Sequence, residues 1–415
     1  MSLRLNKPDV SSQTAPVAQP TSRAQRDKLP ERTADSRGRT LLVIALIVAL
    51  LLLGALVIPP GWFSPNMRGM ALPQWMAELQ HRVGGLVSLV TMQGGDYSMD
   101  HVTWRYLVVA LAGAGLGLAG AVFQGSLKNA LASPSTLGVM TGCNLGRILY
   151  VLLFMGAGGG LALSGLNMAQ ISAKLSQLSP LEYVWRNYGM ALCALACGIV
   201  VVALVIGIST VAGRGRVSSL VMVIVGQVLS AVIGACVGLA QYYYVETSDP
   251  RAEILRNLQV QSFANTFRPV DVLLVGVPLL VVLAIVMRQC ARLNALALGA
   301  DEARTMGIAT QRTQWITVIA CTALTGVIVA FCGQVGMIGF IVPHLMRRVV
   351  GPDLRYLVPA SALAGAGFLV LAYFCTTLFE TGSGTTVGVY TSIIGGLVFL
   401  VVAIRQRGRG HGDWM

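Results

Sequence analysis

Charge is the scarcest ingredient of this chain: 11% of its 415 residues are Asp, Glu, Lys or Arg, while 55% are hydrophobic. Soluble domains carry roughly 25% charged residues, so an ordinary soluble enzyme or binding module is excluded. No lysine is followed by Ser or Thr, hence there is no P-loop of the form G-x-x-x-x-G-K-[ST], and ATP is not bound by that route. Carboxylates are nearly absent from the apolar runs: Asp271 stands at the start of one and Glu380 at the end of another. Ion-coupled transporters place ionisable groups deep in the membrane to carry the coupling ion. A transporter with neither an ATPase motif nor a buried acid relay needs a partner protein to supply its energy. The four histidines, His81, His101, His344 and His411, are scattered and form no H-E-x-x-H motif. The eight cysteines lie in or just beside apolar runs. Even Cys193 and Cys197, at i,i+4, read as small packing residues. No metal site, disulfide framework or catalytic nucleophile–base pair is expected.

What the chain has in abundance is apolar length. About ten runs approach or exceed the roughly 18 residues of a bilayer span. They fall near 41–59, 106–126, 137–158, 189–212, 219–241, 270–288, 313–333, 336–349, 357–378 and 386–404. The eighth is short and holds Pro343 and His344, which predicts a partial helix buried among others, with His344 satisfying backbone groups that the proline frees. Residues 1–40 are polar and aperiodic and read as a disordered basic tail. The run from Leu41 is too long for a signal-peptide core, so it is expected to be an uncleaved first span. The net charge of +13 invites a nucleic-acid reading, but the arginines gather in alternate connections, as the positive-inside rule expects. Both ends then lie in the cytoplasm, with 41–405 as the transmembrane domain and 406–415 as a C-terminal tail. No nucleic acid is expected as a partner; the lipid bilayer is.

Three stretches carry more than hydrophobicity, the last of them in two parts. GAVFQGSLKNALASPSTLGVMTG, Gly120 to Gly142, crosses between two apolar runs through a polar, proline-containing connection. Irregular backbone is tolerated at a membrane face or lining a cavity, not against lipid. NALALGADEARTMGIATQRTQW, Asn294 to Trp315, carries Asp301 and Glu302 early, Arg304 later and Gly307 as a stop, the marks of a short amphipathic helix. GQVGMIGFIVPHLMRRVVGPDLRYLVPASALAGA, Gly333 to Ala366, is followed by TTVGVYTSIIGGLVFL, Thr385 to Leu400.

Together these blocks resemble, in order and over roughly residues 41–405, the FecCD-type permeases, membrane subunits of ABC importers for iron–siderophore, haem and vitamin B12. In the third block Gly336, Gly339, Pro343, His344, Arg347, Gly351, Asp353, Arg355 and Pro359 match the family's pattern. The resemblance implies an all-α polytopic bundle with the vitamin B12 importer-like permease fold. It also implies an ATPase partner in two copies holding ATP and Mg, a second permease chain, identical or homologous, and an extracytoplasmic substrate-binding protein. By the same resemblance, segment 294–315 is the coupling element, with Gly299, Asp301, Glu302, Arg304 and Gly307 central. Asn129, Leu131, Ser218 and Ser219 match the family's inward gate.

The chain also departs from the pattern: the family's Asn-Pro-Leu-Ala is Asn129-Ala130-Leu131-Ala132, and its Arg-Leu-Pro-Arg is Val102-Thr103-Trp104-Arg105. Of the arginines that hold the binding protein only Arg105 survives, so docking is expected to draw on Arg68 or Arg251 as well. Arg147 is a further oddity, a charge inside the third span, facing either the pathway or a subunit interface. The expected function is ATP-driven import of an iron chelate, haem or a corrinoid through a bacterial cytoplasmic membrane. An ion-coupled secondary transporter is the alternative, and an intramembrane enzyme or receptor comes third.

Overall fold

The computed structural model describes residues 34–57, 97–154, 180–212, 219–246, 255, 269–379 and 387–406. Every regular element among them is helical: α1 (Ala34–Val57), α2 (Tyr97–Leu127), α3 (Val139–Phe154), α4 (Pro180–Ala212), α5 (Ser219–Glu246), α6 (Pro269–Leu298), α7 (Ala300–Thr305), α8 (Thr310–Cys332), α9 (Ile338–Val350), α10 (Leu354–Phe379) and α11 (Val387–Gln406). Ten of these coincide with the ten apolar runs, and α7 is the short helix expected within 294–315. By length and composition six are clear membrane spans, α2, α4, α5, α6, α8 and α10, with α3 and α11 as shorter apolar helices.

Helix ends run past the hydropathy limits. The α2 helix starts nine residues before residue 106, and α6 runs ten beyond residue 288, because helical hydrogen bonding continues through polar turns where apolar character stops. The tail assigned to 1–40 is shortened in the same way, since α1 begins at Ala34. Its first turns are fixed by the Thr40 hydroxyl donating to the Ser36 carbonyl at 2.9 Å and by Arg37 held against Asp353 and Tyr356. Residues 1–33, 407–415, Arg68, Arg251 and Ser218 lie outside the described residues.

The bundle is built around α2. Its most apolar 18-residue window is 83% buried, against 61% for α8 and α10 and 17% for α5, which places α2 on the axis and α5 at the rim. Helices α6, α8, α9 and α10 jacket α2, while α3 and α4 form a second layer against α8, with α5 outside them and α1 on α10. In a bilayer no hydrophobic force drives helices together, so small residues that let backbones touch take over that work. Gly113 of α2 faces Gly365 of α10, Gly117 faces the Ser361 carbonyl, and Gly120 faces Gly339 of α9. A methyl group added at any of the three would collide with backbone. Pro343 has no N–H to give the Gly339 carbonyl four residues earlier, and that carbonyl lies directly against Gly120.

Polar groups inside the bundle are tied across helices. The Ser126 and Thr317 hydroxyls meet at 3.2 Å, and Gln314 Nε2 donates to the Ser126 carbonyl at 2.9 Å, joining the end of α2 to the start of α8. Gln124, 2% exposed, donates Nε2 to the Phe340 carbonyl at 3.0 Å. Gln124 thus serves the carbonyl next to the one that Pro343 frees, and the backbone-satisfying role expected of His344 is not taken up, since His344 Nε2 makes no hydrogen bond. All eight cysteines are free.

A Gly120→Ala variant is expected to lose about 1–3 kcal/mol of stability through overpacking, read as a lower melting temperature in detergent. Gly207→Ala, where an added methyl meets nothing within 4 Å, is expected to melt as the wild type does.

Candidate functional site

The crossing between α2 and α3 is ordered by its own polar side chains. Lys128 turns the chain with φ 50°, and Asn129 Oδ1 accepts the Leu131 N–H at 2.9 Å, a local Asx turn. Ser133 N–H donates to Thr136 Oγ1 at 2.8 Å, and Thr136 N–H returns a bond to Ser133 Oγ at 3.1 Å. Thr136 Oγ1 also donates to the Leu131 carbonyl at 3.0 Å. Gly138, at φ 75°, then releases the chain into α3. The loop therefore holds a fixed shape without secondary structure. At its tip Leu131 is 40% exposed, an apolar side chain presented by a polar loop.

The N-terminal half of α5 lies across this loop. A methyl group added at Gly226 would fall 2.6 Å from the Thr136 carbonyl and 2.9 Å from Leu137 Cα, so loop and helix touch there through bare backbone. Ser219 opens α5, seven residues before Gly226 and so about 10 Å along the axis. The structure thus brings the far end of the α2–α3 crossing, at Thr136 and Leu137, against the helix that begins at Ser219, with Asn129 and Leu131 earlier in the same loop.

The helix α7 is short because both its ends are chemically marked. Gly299 precedes it, Asp301 and Glu302 occupy its first turn and Arg304 its last, as the helix dipole favours. At the far end Gly307 N–H donates to the Arg304 carbonyl at 2.9 Å and Ile308 N–H to the Ala303 carbonyl at 3.1 Å. With Gly307 at φ 75° this is a Schellman stop, in which glycine takes the left-handed position. Ala303 is buried while Glu302, Arg304, Thr305 and Met306 are exposed. One face anchors the helix and the other is presented outward.

The two features share one end of the bundle. Ser126, one residue before the end of α2, is bonded to Gln314 near the start of α8, and α8 follows α7 after four residues. Two side chains at this end form a joint that the sequence does not reveal. Asn294, in the last turns of α6, donates Nδ2 to Asp353 Oδ1 at 2.6 Å, and its Oδ1 accepts the Leu354 N–H at 3.0 Å. Asp353 caps α10 by accepting the Arg355 N–H at 2.9 Å, and its other oxygen lies 3.8 Å from Arg37 Nη1. The signal was present in part: Asp just before a helical run is an N-cap residue, but nothing in the sequence pairs it with residue 294.

Arg105, on α2, turns toward α10, where Nη1 donates to the Tyr373 hydroxyl at 3.3 Å. Tyr373 in turn stacks edge-on with Tyr106 at 5.1 Å. Arg147 is 4% exposed and sits near Cys143 and Cys332 within the α3, α4 and α8 layer, so the chain's own helices cover it and a subunit interface is not its seat. Among the described residues no three His, Cys, Asp or Glu side chains gather as a metal site.

A jacketed helical bundle with a fixed polar crossing and a small exposed helix at one end is the architecture of an ABC-importer permease. The chain belongs to the FecCD transport family, whose model matches residues 41–405. It is 32% identical over 311 residues to the uncharacterized ABC transporter permease protein YvrB of Bacillus subtilis, covering 74% of this chain and 78% of that one. It is 29% identical over 376 residues to the vitamin B12 import system permease protein BtuC of Klebsiella pneumoniae, covering 90% and 94%. Its fold matches a solved metal-chelate-type ABC transporter in an inward-facing conformation with TM-score 0.65 at 24% identity, over 89% of this chain and 100% of that one.

Thr136→Val removes a hydroxyl that serves the Ser133 N–H and the Leu131 carbonyl, and an unpaired group of this kind costs about 1–3 kcal/mol. Faster deuterium uptake across residues 129–138 is expected by exchange mass spectrometry, with Thr136→Ser behaving as the wild type.

Proposed function

We propose that this chain is the membrane permease subunit of an ATP-driven importer that moves a bulky metal chelate, an iron–siderophore or haem, into the cytoplasm. The observation that carries the reading is the placement of α7 and the α2–α3 crossing at one end of the same bundle. A partner pushing on α7 is then close to the loop that would open. Membership of the FecCD transport family and likeness to ABC permeases support it. A corrinoid cargo is the second reading, favoured by the BtuC relatives, which are vitamin B12 import permeases.

In this reading two copies of an ABC ATPase hold ATP and Mg and seat α7 in their grooves through Gly299, Asp301, Glu302, Arg304 and Gly307. A second permease chain, identical or homologous, completes the pathway. Asn129, Leu131, Ser218 and Ser219 form the inward gate, where one apolar plug among small polar residues closes a wide channel yet releases a polar cargo. Tight ligands along the path would slow release, so none is expected. A binding protein delivers cargo on the outer face, where Arg105, Arg68 and Arg251 are the docking cations. Both chain ends lie in the cytoplasm of a bacterial cell. The surfeit of arginines at the α7 end, Arg37, Arg304, Arg312, Arg347, Arg348 and Arg355, supports that orientation.

Proteoliposomes holding the chain and its ATPase, offered a ferric siderophore, haem and cobalamin in parallel, test the class and the cargo together. Uptake is expected to stop with vanadate and persist with a protonophore; the reverse pattern would establish an ion-coupled carrier instead. Gly307→Val forces a β-branched residue to φ 75° and is expected to cut uptake about ten-fold or more, with membrane insertion unchanged. Unaltered uptake and unaltered ATPase binding would remove α7 from the coupling role. Ser219→Cys, cross-linked to its counterpart in the second permease chain, is expected to abolish uptake.

A further inference from the structure

The end of the bundle that carries α7 contains a side-chain cluster with no assigned purpose. Asn294 belongs to the final turns of α6, four residues before its end and six before α7 begins. It spends both ends of its amide on another helix, Oδ1 accepting the Leu354 N–H and Nδ2 donating to Asp353 Oδ1. The Leu354 N–H is among the first of α10, which have no acceptor inside their own helix. Asn294 therefore supplies a cap in trans, beside the cap in cis that Asp353 gives to Arg355. Two connections leave this point. Asp353 Oδ2 pairs with Arg37, whose guanidinium lies 5.3 Å over the Tyr356 ring, so α1 is tied in. Leu354, 2% exposed, fills the space over Gly125 of α2, with Cδ1 2.9 Å from where a methyl group there would stand. Gly125 lies three residues before Lys128, where the crossing loop starts.

We infer that Asn294, Asp353 and Arg37 are positioning residues that carry displacement of α7 into α10, from there through Leu354 into the end of α2 and its crossing loop, and in parallel into α1. The inference rests on α7 being the ATPase contact. The geometry explains why a six-residue helix could move a whole bundle. Its push reaches α6, the Asn294 amide passes it to the start of α10, and α10 lies against α2 backbone to backbone at Gly113 and Gly117. A simple cap on α10 would stabilise that helix and nothing more. A relay makes the loop respond to nucleotide.

The test uses the complete permease–ATPase complex in nanodiscs, with ATP plus vanadate as the probe and deuterium uptake as the readout, so no cargo is needed. In the wild type, vanadate trapping is expected to change uptake in α7, in the crossing loop 128–138 and in the first turns of α1. Asn294→Ala is expected to leave ATPase association and the α7 response intact while cutting the loop response at least about five-fold, the lower bound for two lost hydrogen bonds. Asp353→Asn keeps the acceptor for Asn294 and Arg355 but removes the charge facing Arg37. It is expected, like Arg37→Ala, to silence α1 while sparing the loop, and Arg37→Lys is expected to restore α1. Should Asn294→Ala fail to fold, the Asp353 and Arg37 variants carry the test through α1.

A loop that responds normally in Asn294→Ala overturns the relay, and so does an α1 that responds normally in Arg37→Ala. Loss confined to complex yield and to nucleotide-independent exchange would reduce the cluster to a structural cap. An unresponsive α7 in the wild-type complex would instead overturn the coupling assignment, a failure separate from that of the relay.

Discussion

Backbone-to-backbone contact along α2 is the constraint on which the rest of the bundle depends. Gly113, Gly117 and Gly120 present three successive flat patches, spaced about one turn apart, to Gly365, Ser361 and Gly339 on two other helices. Apolar side chains gain little from leaving lipid for one another, so dispersion at short range must hold these helices. That requirement explains why α2 is the most buried span. It also explains why a broken helix is tolerable beside it. Pro343 interrupts the hydrogen bonding of α9, and the carbonyl it strands lies on the bare Cα of Gly120, while Gln124 serves the next carbonyl along.

Because the contacts are rigid, movement must be taken up elsewhere. The α2–α3 crossing has a fixed fold of its own, made by Asn129, Ser133 and Thr136, yet it bears on α5, the least buried of the clear spans. A bundle of this design has a buried axis and an exposed rim, with the loop joining them. In the importer reading that division suits the task. Force entering at α7 would reach the rim through the crossing loop.

The polar groups at the α7 end follow the same economy. Asn294, Asp353, Gln314 and Ser126 each bond across helices, in a region where backbone donors at helix starts would otherwise go unmet. A lone Asn or Asp near a membrane face is usually a solvated group. Here the bonds turn ends of helices into fixed joints, and the joints are where motion can be handed on.

Much of this was written in one dimension. Apolar run length located ten helices, because a bilayer demands a continuous span whatever its neighbours do. The acids, Arg304 and Gly307 located α7, because dipole and left-handed glycine preferences act within a single turn. The three matched blocks fixed the family, and Gly113 to Gly120 announced close packing without naming what packs there. Partners were decided only by tertiary structure. Nothing adjacent to Asn294 says that its amide caps a helix beginning sixty residues later, nor that Arg37 belongs to a helix and to an ion pair rather than to a loose tail. Arg147 read as a charge facing the pathway or a subunit interface until its own helices covered it, and nothing beside His344 says that Gln124, from another helix, bonds the Phe340 carbonyl. Local rules read spans, caps and stops because their causes lie within a few residues. Contacts between helices depend on how rigid rods meet in three dimensions, and that is settled by packing the whole bundle at once.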